Sequence, residues 1–104
     1  MFPEENRYFE TDNGILYCGD CVEIMKKFQE ESIDLIITDP PYGVNFNNNK
    51  KYNDSKEYVF NTYLEWLKEM ERNLKNTCHS YFFIPTLEVG KWVCGIKEIF
   101  KFNN

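Results

Sequence analysis

The stretch Ser32–Thr38, Ser-Ile-Asp-Leu-Ile-Ile-Thr, runs straight into Asp39-Pro40-Pro41-Tyr42-Gly43. A short, almost continuous apolar run suits a strand buried on both faces, which is the environment inside a parallel sheet. Proline offers no N–H to a ladder and fixes φ, so Pro40-Pro41 must end that strand. Parallel neighbours cannot be joined by a tight turn. The chain therefore has to supply crossover helices on either side of this strand.

The rest of the sequence meets that demand. Asn13-Gly14 is a turn signal, and Ile15-Leu16-Tyr17-Cys18 reads as a short buried strand. Cys21, Ile24, Met25 and Phe28 then recur at helical spacing, with Asp20 and Glu23 placed as in a capping box. Residues 45–57 are polar and aperiodic and read as a long loop, of the kind that in compact domains is functional or mobile. Phe60, Tyr63, Leu64, Leu67, Met70 and Leu74 mark a long helix, and Ser80–Ile84 a third strand stopped by Pro85. Thr86 is placed to cap a last helix whose face is Val89, Trp92, Val93, Ile96 and Phe100. The expected fold is α/β, with three parallel strands alternating with three helices, in one domain over residues 1–104. Tyr63, Trp66, Tyr81, Phe82, Phe83 and Trp92 are expected in its core.

In sheets of this type ligands sit beyond the carboxyl ends of the strands. Two polar groups fall there, Gly19-Asp20 after the first strand and Asp39-Pro40-Pro41-Tyr42 after the second. The second pair of features suits one difficult reaction. The exocyclic amine of a nucleobase is a poor nucleophile because its lone pair is delocalised into the ring. Two acceptors that take its two N–H bonds localise that lone pair toward a methyl donor. Asp39 offers a carboxylate and Pro40 a carbonyl, and the two rings hold that carbonyl with no local N–H competing for it. Tyr42 offers a ring for stacking on an extruded base, worth about 1–3 kcal/mol.

The residues Leu16–Tyr42, "LYCGDCVEIMKKFQEESIDLIITDPPY", closely resemble the front portion of the S-adenosylmethionine-dependent DNA amino-methyltransferases of the N6-adenine and N4-cytosine class. The segment "YLEWLKEMERNLKNTCHSYFFIP" is similar to the next helix and strand of that family, so the resemblance runs over roughly residues 14–102. It implies a partial Rossmann-like methyltransferase sheet. It also implies that Asp39 and Pro40 polarise the target amine, that Pro41 and Tyr42 contact the base, and that Asp20 and Asp39 contact S-adenosylmethionine. The aspartate form of the box points to adenine N6. DNA is the implied partner, with a flipped target base. No stretch here matches the family's Phe-x-Gly-x-Gly turn that binds the methionine part of the cofactor, so the chain is expected to be a front fragment. Such a fragment would leave a sheet edge open, inviting self-association or a complementary methyltransferase chain.

Composition limits how DNA could be held. With 12 Lys and Arg against 17 Asp and Glu, the net charge of −5 opposes nonspecific binding to a polyanion. Asn47, Lys50 and Lys51, in the polar loop, are the candidate contacts to nucleic acid, with a solvated loop as the alternative. No apolar stretch approaches the roughly 20 residues of a membrane span, and Met1-Phe2-Pro3-Glu4-Glu5 lacks a signal peptide's basic and apolar regions, so a cytoplasmic place is expected. Cys18-Gly19-Asp20-Cys21 has the spacing of a redox dithiol, but Asp20 opposes thiolate formation. Cys78-His79 could join it around zinc only if the two strand ends met, which parallel strands prevent. The remaining alternatives are cytosine N4, an RNA base or a protein glutamine as acceptor, and an inactive interaction fragment.

Overall fold

A computed structural model describes residues 2–42 and 56–100. The order is β1 (Arg7–Thr11), β2 (Gly14–Tyr17), α1 (Cys21–Met25), β3 (Ile33–Thr38), α2 (Lys56–Asn73), β4 (Leu74–Phe82), a 3-10 turn (Thr86–Glu88) and α3 (Val89–Ile99). The chain is α/β as expected, but among the described residues its sheet is divided differently. β3 and β4 pair in parallel, whereas β2 pairs antiparallel with β1 in a separate hairpin. The strand after Asn13-Gly14 is therefore not a member of the parallel sheet. Nor is it buried, since Gly14 and Leu16 are exposed and Ile15 and Tyr17 only half-buried.

The missed partner, β1, was hidden because Arg-Tyr-Phe-Glu-Thr alternates without a consistently apolar face. A two-residue loop, Asp12-Asn13, joins Thr11 to Gly14, and Thr11 Oγ1 accepts from the Asn13 N–H at 3.3 Å. Arg7 then ties the hairpin to the N-terminal segment. Its Nε donates to the Pro3 carbonyl at 2.8 Å and its Nη2 to the Phe2 carbonyl at 3.1 Å, while Tyr17 Oη donates to the same Pro3 oxygen at 2.8 Å. Phe28 packs edge-on against both Phe2 and Tyr17.

α1 is shorter than the spacing suggests, and its buried residues are Val22 and Ile24. Cys21 is exposed, and Met25 and Phe28 are half-buried. The helix meets α2 through a polar seam. Arg72 Nη2 and Asn73 Nδ2 both donate to the Met25 carbonyl, at 2.8 and 3.1 Å, and Arg72 Nη1 donates to the Phe28 carbonyl at 3.2 Å. In return the N–H groups of Glu31 and Ser32 donate to the carbonyls of Arg72 and Asn73, which a helix end leaves without partners.

α2 passes into β4 with no connecting residue, so Leu74, expected on the helix, opens the strand. Its entry is irregular: from Ile33↔Leu74 to Leu35↔His79 the register advances five residues on β4 against two on β3. The regular ladder begins only at His79, which is where the expected third strand lies. Val59, Tyr63, Leu67, Trp92 and Ile96 form the core between α2 and α3, with Leu64, Trp66, Phe82 and Ile84 packed against it. The rings of Tyr63 and Trp92 stack at 4.5 Å. Tyr81 and Phe83, expected inside, are exposed because they sit on the sheet face opposite Phe82. Thr86 does not cap α3; it begins the 3-10 turn, and α3 starts without a side-chain cap. No described helix is long and apolar enough to cross a membrane.

Candidate active site

The Asp39 turn leaves the sheet where the ladder ends. Thr38 pairs with Phe82, and the Phe83 N–H donates to the Thr38 carbonyl at 3.0 Å, so the strand is held up to the residue before Asp39. Asp39 and Pro41 are exposed, and Pro40 and Tyr42 half-buried. The carboxylate thus stands at the surface at the carboxyl end of a parallel strand, the position such sheets reserve for ligands. Tyr42 reaches back to it. The phenol hydrogen-bonds Asp39, and that bond, with burial and the carboxylate charge adding to it, raises the tyrosine's pKa. A carboxylate has about four acceptor positions, so Asp39 retains capacity for an incoming donor.

Asp20 is an N-cap. Its Oδ1 accepts from the N–H groups of Val22 and Glu23, at 2.9 and 3.1 Å. The reciprocal half of a capping box is missing, because Glu23 instead pairs with Lys26 at 2.8 Å. Since β2 lies outside the parallel sheet, Gly19-Asp20 does not occupy the strand end neighbouring Asp39 as expected. Gly19 is nonetheless specific, for its φ is +152° and a Cβ there would lie 3.3 Å from Asn6 Nδ2 and from Ile24 Cδ1. Asn47, Lys50 and Lys51 lie outside the described residues.

Cys18 and Cys21 are both free thiols on exposed residues, and partial burial of the Cys21 sulfur, followed by the Asp20 charge, pushes that thiol up. That is the opposite of what a reactive dithiol needs. His79 sits in β4 opposite Leu35, exposed to solvent. Among the described residues no three His, Cys, Asp or Glu side chains converge as metal ligands would.

Among the open cavities bounded by described residues, two lie away from the Asp39 turn's own side chains. One of about 390 Å³ is walled by Phe2, Tyr17 and Phe28 with the β1–β2 turn, and one of about 260 Å³ lies among Met25, Phe28, Ile36, Met70 and Asn73. Neither Asp20 nor Asp39 lines either of these two cavities.

An exposed Asp-Pro-Pro-Tyr segment thus closes a parallel strand of an α/β chain. Residues 33–104 match the sequence profile of the DNA methylase family of N6/N4 methyltransferases, and the chain belongs to that family. It is 43% identical over 61 residues to the type II methyltransferase M.BamHI of Bacillus amyloliquefaciens, a match covering 57% of this chain and 14% of that protein. M2.MboI of Moraxella bovis is 36% identical over 85 residues, covering 66% of this chain and 31% of the relative. M.HpaI of Haemophilus parainfluenzae is 42% identical over 74 residues, covering 66% and 22%. The chain thus spans less than a third of the length of these relatives. No solved structure matches it.

Proposed function

We propose that this chain is the target-base portion of a DNA methyltransferase acting on the N6 amine of adenine, with S-adenosylmethionine as donor. The observation that carries the reading is the exposed Asp39 carboxylate, held with Pro40-Pro41 at the end of β3. Asp39 and the Pro40 carbonyl take the two N–H bonds of the amine, and Tyr42 and Pro41 lie against the flipped base. Asn47, Lys50 and Lys51 contact the DNA around it. When bound, S-adenosylmethionine supplies an electrophilic methyl group. This chain's part is to orient the amine and to hold its lone pair out of the ring. Asp20 already spends one oxygen on its cap, so any contact it makes with the cofactor uses the other.

A graft tests this. Residues of this chain replace the matched stretch of M2.MboI, and transfer of labelled methyl to mixed-sequence DNA is measured, with digestion and chromatography of the product. The expected result is N6-methyladenine from the graft and a loss of at least about 100-fold with Asp39→Ala, the lower end of the range for one positioned polar group. Equal rates from graft and Asp39→Ala graft would remove Asp39 from the chemistry. Cytosine N4 methylation would reassign the acceptor.

A further inference from the structure

The β1–β2 hairpin carries a cavity that the methyl-transfer reading leaves unused. Glu10 pairs with Ile15, and Ile15 and Tyr17 lie two apart on β2, so the three share one face of the hairpin. That face, with Phe2 and Phe28, bounds the cavity of about 390 Å³. Phe28 meets Phe2 and Tyr17 at interplanar angles of 63° and 67°, with ring centroids 5.8 and 5.7 Å apart. Rings inclined so steeply build a corner, unlike the stacked pair of Tyr63 and Trp92. Three donor side chains beside it are already committed: Tyr17 Oη to the Pro3 carbonyl, Thr11 Oγ1 to the Gly14 carbonyl, and Arg7 to the Pro3 and Phe2 carbonyls and to Glu10. What remains on the rim is negative charge. Glu4 and Glu10 share the Arg7 guanidinium, and Asp12 adds its carboxylate at the turn.

We propose that this cavity binds a small organic ammonium ion of the methylated, quaternary kind, its methyl groups against Phe2, Tyr17 and Phe28 and its charge facing Glu10 and Asp12. An anion is repelled by the rim, whereas a ring face, negative at its centre, attracts a cation within about 6 Å. A primary ammonium brings three N–H donors that each need an acceptor, which a wall of rings does not supply. A quaternary head has none to satisfy. A metal ion is the poorer match as well, since no three His, Cys, Asp or Glu side chains converge among the described residues. The volume lies toward the lower end of the about 300–1,000 Å³ of ligand pockets, as a small ion requires. Neither Asp20 nor Asp39 borders it, so this site is separate from the one proposed for methyl transfer.

The probes are choline and dimethylbutanol, in which carbon replaces the charged nitrogen, each titrated into the full chain and followed by amide and ring resonances in NMR. The expected result is saturable binding of choline that moves the signals of Gly14, Tyr17 and Phe28, with the alcohol at least about tenfold weaker, since only a cation gains from ring faces and carboxylates. Phe2→Leu keeps an apolar wall and removes a ring, so it should weaken choline about three- to tenfold and leave the alcohol unchanged. Asp12→Asn should weaken choline about two- to threefold and flatten its dependence on salt. Tyr8→Ser, at a residue 75% exposed on the same hairpin, should change neither. Phe2 precedes the first strand and Asp12 sits in a turn, so circular dichroism of both variants should match the parent. Equal affinity for choline and the alcohol would make the cavity a plain apolar recess and overturn the inference. So would no binding, shifts confined to residues outside the cavity, or Phe2→Leu and Asp12→Asn variants that both hold choline as the parent does.

Discussion

Tyr42 and Asp39 form a pair whose behaviour with pH is fixed by the direction of one shift. The folded tyrosine titrates above its ordinary value, chiefly through its hydrogen bond to the Asp39 carboxylate, with burial and the carboxylate charge adding to it. A raised value in the folded state means that the pair's contribution is in place at neutral pH and is lost as pH rises through the folded pKa. The phenolate difference spectrum between the parent and Tyr42→Phe should therefore midpoint above that of free tyrosine, and Asp39→Asn should bring it back. Asp20 is separable by substitution in the same way. Asp20→Ala should cost about 1 kcal/mol in urea unfolding through loss of the cap, while Asp20→Asn should keep the cap and speed alkylation of Cys21 by removing the charge that disfavours its thiolate.

The Asp-Pro-Pro-Tyr turn was legible because proline's effect on a strand is local and needs no knowledge of the fold. Asp20 was legible as a cap for the same reason, since the bonds span two and three residues.

At the scale of elements, local periodicity placed α2 and the β4 ladder but misjudged what each faced. The helical spacing of Tyr63, Leu67 and Met70 corresponds to buried positions, as it should for a helix against a core. The hairpin was missed because Asp12-Asn13-Gly14 joins strands whose apolar residues do not alternate cleanly, and its stability comes from Arg7 and Tyr17 reaching the Pro3 carbonyl. Such a tie spans 14 residues in the case of Tyr17 and leaves no periodic trace. Contact between α2 and α3 turns on Gly95, where a Cβ would lie 2.2 Å from Tyr63 Oη and 2.9 Å from its Cε2. In most helices Gly→Ala gains up to about 1 kcal/mol. Here the collision with a stacked ring wins, and Gly95→Ala should lose about 1–3 kcal/mol in denaturant unfolding. Gly90→Ala, in the same helix with nothing within 4 Å, should be neutral or stabilising.

For the molecule as a whole, alternation of strands and helices identified the α/β class but could not say which strands pair. Pairing is decided by partners far apart in sequence, and a short strand such as Gly14–Tyr17 satisfies its backbone equally well in a hairpin. The expected burial of Tyr81 and Phe83 failed for a related reason: strand residues alternate between faces, and only one face has helices on it. Electrostatics at this scale carries its own prediction. With net charge −5, the isolated chain should shift duplex DNA in a gel no more than a neutral control protein does at physiological salt, and lowering the salt should not rescue it as it would a basic protein.

The Tyr42 phenol keeps one acceptor position of the Asp39 carboxylate engaged. With about four such positions on a carboxylate, an arriving N–H group can be received without dislodging the phenol. A group that presents only an oxygen meets lone pairs with lone pairs there. On electrostatic grounds alone, this end of β3 welcomes donors and turns acceptors away.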